Sequence, residues 1–115
     1  GNNKEYISDT KDENNEMILK GADISKYHIN PTNNYIVFKP ESFQQIAPTE
    51  MYRAPEKLLY RFISSQLVFA YDDKQTLSLN SCNIVIPRIQ GLKMRYVLAI
   101  LNSRIAQFIY KKEFN

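Results

Sequence analysis

The fold of this 115-residue chain is decided by one stretch, Lys57–Tyr71, which reads KLLYRFISSQLVFAY. Its second half, Leu67–Tyr71, is rich in the β-branched and aromatic residues that favour strands. Only Ser64-Ser65-Gln66 separates this run from the first half, which is a connection of hairpin length. We therefore interpret Leu58–Ile63 and Leu67–Tyr71 as two antiparallel strands.

The first half of the stretch also fits a helix. Pro55 and Glu56 are typical of a first helical turn, and apolar residues recur at helical spacing between residues 58 and 63. In a strand, by contrast, alternate side chains share a face, so Lys57 and Arg61 would lie on the same side. The strand-forming run that follows favours the strand, and a helix over Lys57–Ile63 would refute it.

After the hairpin, the sequence predicts a third strand of the same sheet and then a long helix. The apolar segment Ile84–Ile86, within Asn83–Pro87, is typical of a strand. Apolar residues from Met94 to Tyr110 recur on one helical face. We predict an α+β fold in which a small antiparallel β-sheet packs against a long C-terminal amphipathic helix.

The helix pattern makes two further predictions. The side chains expected to be buried are Met94, Leu98, Leu101, Ile105 and Phe108. Asn102 and Ser103 both compete for backbone hydrogen bonds, so the helix can break at this pair.

The chain divides into a polar front and one domain. Residues 1–16 contain only Tyr6 and Ile7 as apolar residues, which is too little apolar surface to order a segment strongly. We interpret residues 1–18 as a polar N-terminal segment or linker, and residues 19–115 as the domain. Residues 1–50 have a net charge of −3, from five lysines and eight acids, whereas residues 51–115 have +6, from ten basic residues and four acids.

The composition excludes several classes of site. The chain has one cysteine, Cys82, and therefore cannot form an internal disulfide. With only this cysteine and one histidine, His28, it has too few ligands for a typical zinc site. Three scattered glycines exclude a glycine-rich phosphate loop. No apolar run is long enough to span a bilayer, and the polar start is not typical of a signal peptide. We expect a cytoplasmic, non-catalytic chain without a cofactor or metal of its own and without a membrane partner.

Binding chemistry is concentrated in the basic half. Arginine suits phosphates and guanine edges, and asparagine can pair with adenine, so such residues are candidates for contacts with double-stranded DNA. Arg53, Lys57 and Arg61 follow each other at intervals of four residues. The full set of candidate DNA-binding residues is Arg53, Lys57, Arg61, Asn80, Ser81 and Arg88. Taken singly, each fits an ordinary surface residue equally well.

Four motifs occur in an order that resembles a known family. They are Gly21-Ala22-Asp23-Ile24 with Tyr27, Glu56-Lys57-Leu58-Leu59-Tyr60-Arg61, Val68-Phe69-Ala70-Tyr71-Asp72, and Leu98-Ala99-Ile100-Leu101-Asn102-Ser103. Together they resemble the TaqI-like C-terminal specificity domain, the target-recognition part of adenine-specific DNA methyltransferases and of fused restriction–modification enzymes. The likeness extends over residues 19–112.

The resemblance implies that catalysis and DNA recognition belong to separate domains. A separate catalytic domain would bind S-adenosylmethionine, and this chain would select the DNA sequence, the target adenine being flipped out of the duplex. Lys57 and Arg61 match the basic strand motif and would face DNA, whereas Leu101-Asn102-Ser103 would be structural. The alternative function is a protein-docking module of a restriction–modification assembly. A second helical stripe favours it, formed by Tyr96, Ile100, Ser103, Gln107 and Tyr110.

Overall fold

The computed structural model describes residues 7–39 and 47–103, and its largest unit is the predicted hairpin. Strand β5, Lys57–Ile63, pairs antiparallel with β6, Gln66–Asp72, from Lys57 opposite Asp72 to Ile63 opposite Gln66. Ser64 and Ser65 form a two-residue turn, in which Ser64 has a φ of 56°. The strand interpretation is confirmed, and the pairing starts one residue earlier than predicted.

Strand β8, Asn83–Val85, extends the sheet on the other side of β5. It is antiparallel, with Leu58 opposite Val85 and Tyr60 opposite Asn83, so the strand order is β6-β5-β8. The predicted strand Ile84–Ile86 is therefore present with a shift of one residue. Because β8 runs back along β5, the residues that follow it approach the start of β5.

Two smaller sheets in the described residues were not predicted. Strand β1, Glu16–Leu19, pairs antiparallel with β4, Tyr35–Ile36, and parallel with β7, Leu77–Ser78. Strands β2, Ile24–Ser25, and β3, His28–Ile29, form a short hairpin after a 3-10 turn at Gly21–Asp23. The α+β class is confirmed, but the single sheet is wrong, because all strands of the two smaller sheets except β1 have only two residues, too few to show an alternating pattern.

Two short helices complete the described part of the chain. Helix α1 spans Thr49–Tyr52, and α2 spans Met94–Leu101. Val97 and Leu98 of α2 are buried against Leu58 and Phe69, while Met94 and Leu101 are half-buried. Burial of Leu98 is thus confirmed. Ile105, Phe108 and the rest of the helix predicted to reach Tyr110 lie outside the described residues.

The central sheet is covered on both faces. Helix α2 packs on the face that carries Leu58 and Phe69. Leu59 and Ala70, on the opposite face, pack with Leu19, Ile24 and Cys82. Burial on both sides explains why residues 57–59 are continuously buried and do not alternate between buried and exposed.

Helix α2 ends at a side chain that binds the outer edge of β6. Asn102 is buried, its Oδ1 accepts a hydrogen bond from the backbone N–H of Phe69 at 2.9 Å, and its Nδ2 donates to the carbonyl of Phe69 at 2.9 Å. Helix α2 thus ends immediately before Asn102-Ser103, the pair at which a break was predicted, and Asn102 joins this helix end to the strand.

Replacing Asn102 with Ala should lower the free energy of unfolding by roughly 1–3 kcal/mol, because it leaves the N–H of Phe69 buried without an acceptor. Urea titration followed by circular dichroism measures the change. The matched control is Asn80→Ala at an exposed turn position, which should change the stability by less than about 0.5 kcal/mol. Equal effects of the two substitutions would contradict the role of Asn102.

Candidate nucleic-acid interface

Arg53 is held by contacts within the chain. Its guanidinium forms a bidentate pair with the carboxylate of Glu16, at 2.7 and 2.8 Å, and also donates to the carbonyl of Gln75. The ring of Phe38 lies 5.0 Å below the guanidinium carbon. The hydrogen bond to Glu16 raises the pKa of Arg53 above its already high value. Arg53 therefore ties the end of α1 to β1.

Lys57 is fully buried at the start of β5. Its Nζ donates to the carbonyls of Tyr52 and Thr76, the latter at 2.8 Å, and lies 3.2 Å from Oδ2 of Asp72. The structure contradicts the expectation that Lys57 faces DNA, because its three donors reach internal acceptors. Strand alternation did place Lys57 and Arg61 on one face, but this face points into the protein.

Asp72 is the charged partner that makes the burial of Lys57 tolerable. Burial alone would raise the pKa of Asp72, but hydrogen bonds from the backbone and hydroxyl of Thr76, together with the charge of Lys57, outweigh it and lower the pKa below its usual value. Asp72 is therefore ionised at neutral pH, and the pair forms a buried salt bridge.

The other end of β5 brings together Arg61, Asn80 and Ser81. Arg61 lies four residues after Lys57, about 13 Å away along the strand. Nε of Arg61 donates to the carbonyl of Ile24 at 2.8 Å, and Oγ of Ser81 accepts from the N–H of Gly21 at 2.9 Å. A Cβ at Gly21 would lie only 2.4 Å from the carbonyl oxygen of Ser81, so this close contact requires glycine. Asn80 is exposed at the tip of the same turn.

Arg88 lies apart from the other candidates, at an open cleft of about 680 Å³. The cleft is where the chain leaving β8 meets Glu56, just before β5. Its charged lining consists of Glu56 and three exposed cations, Arg88, Lys93 and Arg95. Lys93 and Arg95 were not predicted from the sequence, although three cations within residues 88–95 indicate a local basic surface.

Arg95 and Glu56 are both positioned by Tyr71. The guanidinium of Arg95 lies 4.2 Å from the centre of the Tyr71 ring, and the Tyr71 hydroxyl donates a hydrogen bond to the Glu56 carboxylate. This hydrogen bond raises the pKa of Tyr71 to about 12, further above neutral pH than the ordinary value. Among the described residues that line the cleft, the carboxylate of Glu56 is thus hydrogen-bonded, and the cations Arg88, Lys93 and Arg95 are exposed.

The sequence of the chain matches a family model over most of its length. The model of the TaqI-like C-terminal specificity domain matches residues 16–115. The chain belongs to this family. Membership indicates that this specificity domain takes part in DNA target recognition in restriction–modification systems, in a family that is typically non-catalytic. No curated protein matches the chain.

Neither a membrane-spanning helix nor a metal-binding group of side chains is present in the described part of the specificity domain. Among residues 7–39 and 47–103, no helix is both long and apolar enough to cross a membrane. Within the same ranges, no three histidine, cysteine or acidic side chains lie together in a way that could hold a metal ion.

Lys57→Met should lower the free energy of unfolding by roughly 3–5 kcal/mol, because Asp72 would remain buried without its cationic partner. Chemical denaturation measures this change. Lys74→Met, at an exposed position two residues after Asp72, is the matched control and should have little effect. If the two variants are equally stable, the contacts of the Lys57 ammonium group do not stabilise the fold.

The lowered pKa of Asp72 predicts a pH dependence. A carboxylate with a depressed folded-state pKa stabilises the protein above its unfolded pKa of about 4, and this contribution disappears as the pH falls through the folded value. Unfolding free energies measured from about pH 6 to pH 2 should therefore fall less steeply for Asp72→Asn than for the wild type. Asp73→Asn, which changes the exposed neighbour, should retain the wild-type slope.

Proposed function

We propose that this chain is the DNA sequence-recognition domain of an adenine-specific DNA methyltransferase of a restriction–modification system. In this proposal, the domain holds duplex DNA against a separate catalytic domain, which binds S-adenosylmethionine and receives the flipped adenine. The partners are double-stranded DNA and the catalytic domain. A cytoplasmic location accords with this role and with the single buried thiol of Cys82.

The observation that carries the proposal is the family match over residues 16–115. The cleft supports it, because three exposed cations surround one carboxylate that is already hydrogen-bonded. Clustered cations attract a polyanion and release counterions from its phosphates on binding. Since Arg53 and Lys57 are engaged inside the fold, we place the main DNA-facing surface at the cleft. Contacts of Arg61, Asn80 and Ser81 with DNA remain predictions.

A protein-docking module is the second candidate function. Tyr96 and Ile100, on the outer side of α2, are 58% and 44% exposed, which is a substantial apolar surface for one short helix. Docking through these side chains depends mainly on apolar burial and is therefore much less sensitive to salt than phosphate contacts are. A salt series separates the two functions.

The test measures the affinity of the full-length protein for fluorescent duplexes across a salt series. We expect a steep loss of affinity with salt, and we expect Lys93→Ala to weaken binding equally for all sequences while reducing the slope by about one unit. Lys11→Ala is the matched control, because Lys11 is exposed in the polar N-terminal segment and belongs to neither group of candidate DNA-binding residues, so affinity and slope should stay unchanged.

Two results would contradict the proposal. Absence of salt-dependent duplex binding would favour the docking module. Failure of the full-length protein to transfer a methyl group from labelled S-adenosylmethionine to adenine would remove the methyltransferase part while leaving DNA recognition in place.

A further inference from the structure

The segment between β8 and α2 contains a tight turn at the rim of the cleft. The N–H of Leu92 donates to the carbonyl of Ile89 at 3.1 Å, and Gly91, the third residue of the turn, has a φ of 84°. This combination is typical of a type II turn, whose third position requires a left-handed backbone and favours glycine. Gln90 therefore occupies the second position, at the tip.

The turn exposes apolar side chains between polar ones. Ile89 is 51% exposed and Leu92 is 41% exposed, while Arg88, Gln90 and Lys93 are also on the surface. Within residues 7–39 and 47–103, the side chains of Arg88 and Gln90 make no hydrogen bond or ion pair. No contact in the described fold explains this composition, so the turn is available to a ligand.

We propose that the turn Ile89–Leu92 enters the major groove of DNA and that Arg88 and Gln90 determine the sequence that is read. This inference rests on the proposed function and adds to it the reading element and the groove. Glutamine can pair bidentately with adenine and arginine with guanine, while apolar side chains contact the methyl group of thymine. The turn offers all three kinds of contact within five residues, Arg88 to Leu92.

The dimensions of the turn favour the major groove. The first and last Cα atoms of a β-turn lie within about 7 Å of each other, which leaves room for side chains in a groove about 12 Å wide. The minor groove, at about 6 Å, is too narrow for the same turn and shows A·T and T·A pairs alike.

The neighbouring cations fit phosphate contacts on either side of the groove. Lys93 directly follows the turn, and Arg95 lies one residue into α2, stacked on Tyr71 at 4.2 Å. A stacked guanidinium is already oriented, so less side-chain freedom is lost when it binds a phosphate. The turn would thus be held in register by contacts that carry no sequence information.

The experiment selects bound duplexes from a pool with a randomised central segment, using the full-length protein, and sequences the bound fraction. Gln90→Ala should relax the preference at one base position, by about 5- to 150-fold, and leave the others intact. Arg88→Ala should do the same at a different position. Gln66→Ala, an exposed glutamine at the hairpin turn, is the matched control and should leave every preference unchanged.

The outcomes separate this inference from the proposed function. If the wild type binds duplexes selectively and both cleft variants keep its preferences, the turn does not read bases, although DNA recognition stands. Uniform weakening in Gln90→Ala at all positions would overturn base reading in favour of a backbone contact. If the wild type binds no duplex, both the inference and the proposed function fail.

Discussion

The ammonium group of Lys57 is the constraint on which the described fold most depends. It brings together the carbonyl that ends α1, the carboxylate that ends β6, and the carbonyl of Thr76 before β7. Each acceptor belongs to a different part of the chain, and a buried cation is costly unless all its donors are satisfied. Because β7 pairs with β1, the same group connects the central sheet to the smaller one.

This internal use of charge determines which surface is left for binding. The cations at the end of α1 and at the start of β5 are engaged within the fold, Arg53 by Glu16 and Lys57 by Asp72. The cations that follow β8 are Arg88, Lys93 and Arg95, which lie in a loop and at the start of α2 and are exposed. The basic residues of the second half of the chain therefore form two groups, one that stabilises the fold and one that is exposed and free to bind a ligand. The net charge of this half does not distinguish the two groups.

The hairpin could be predicted from sequence because seven-residue strands with strand-forming composition give a strong local signal. Strand alternation also showed that Lys57 and Arg61 share a face, but not that this face is buried, since its burial depends on the short strands β1 and β2, which the sequence pattern did not indicate. The acid at position 72, directly opposite Lys57 in the hairpin register, was a usable sign of an internal pair. The cleft could not be predicted from sequence, because the residues that line it come from three separate parts of the chain.

The contact between Asn102 and Phe69 has a consequence for the behaviour of the chain at high concentration. Strand β6 lies at the edge of its sheet, and Phe69 is near its middle, where unpaired backbone groups would otherwise offer a template for a strand from another molecule. The amide of Asn102 occupies both groups, and the N–H of Tyr27 also reaches the carbonyl. The residue that ends the helix thereby also protects the longest hairpin of the fold from edge-to-edge aggregation.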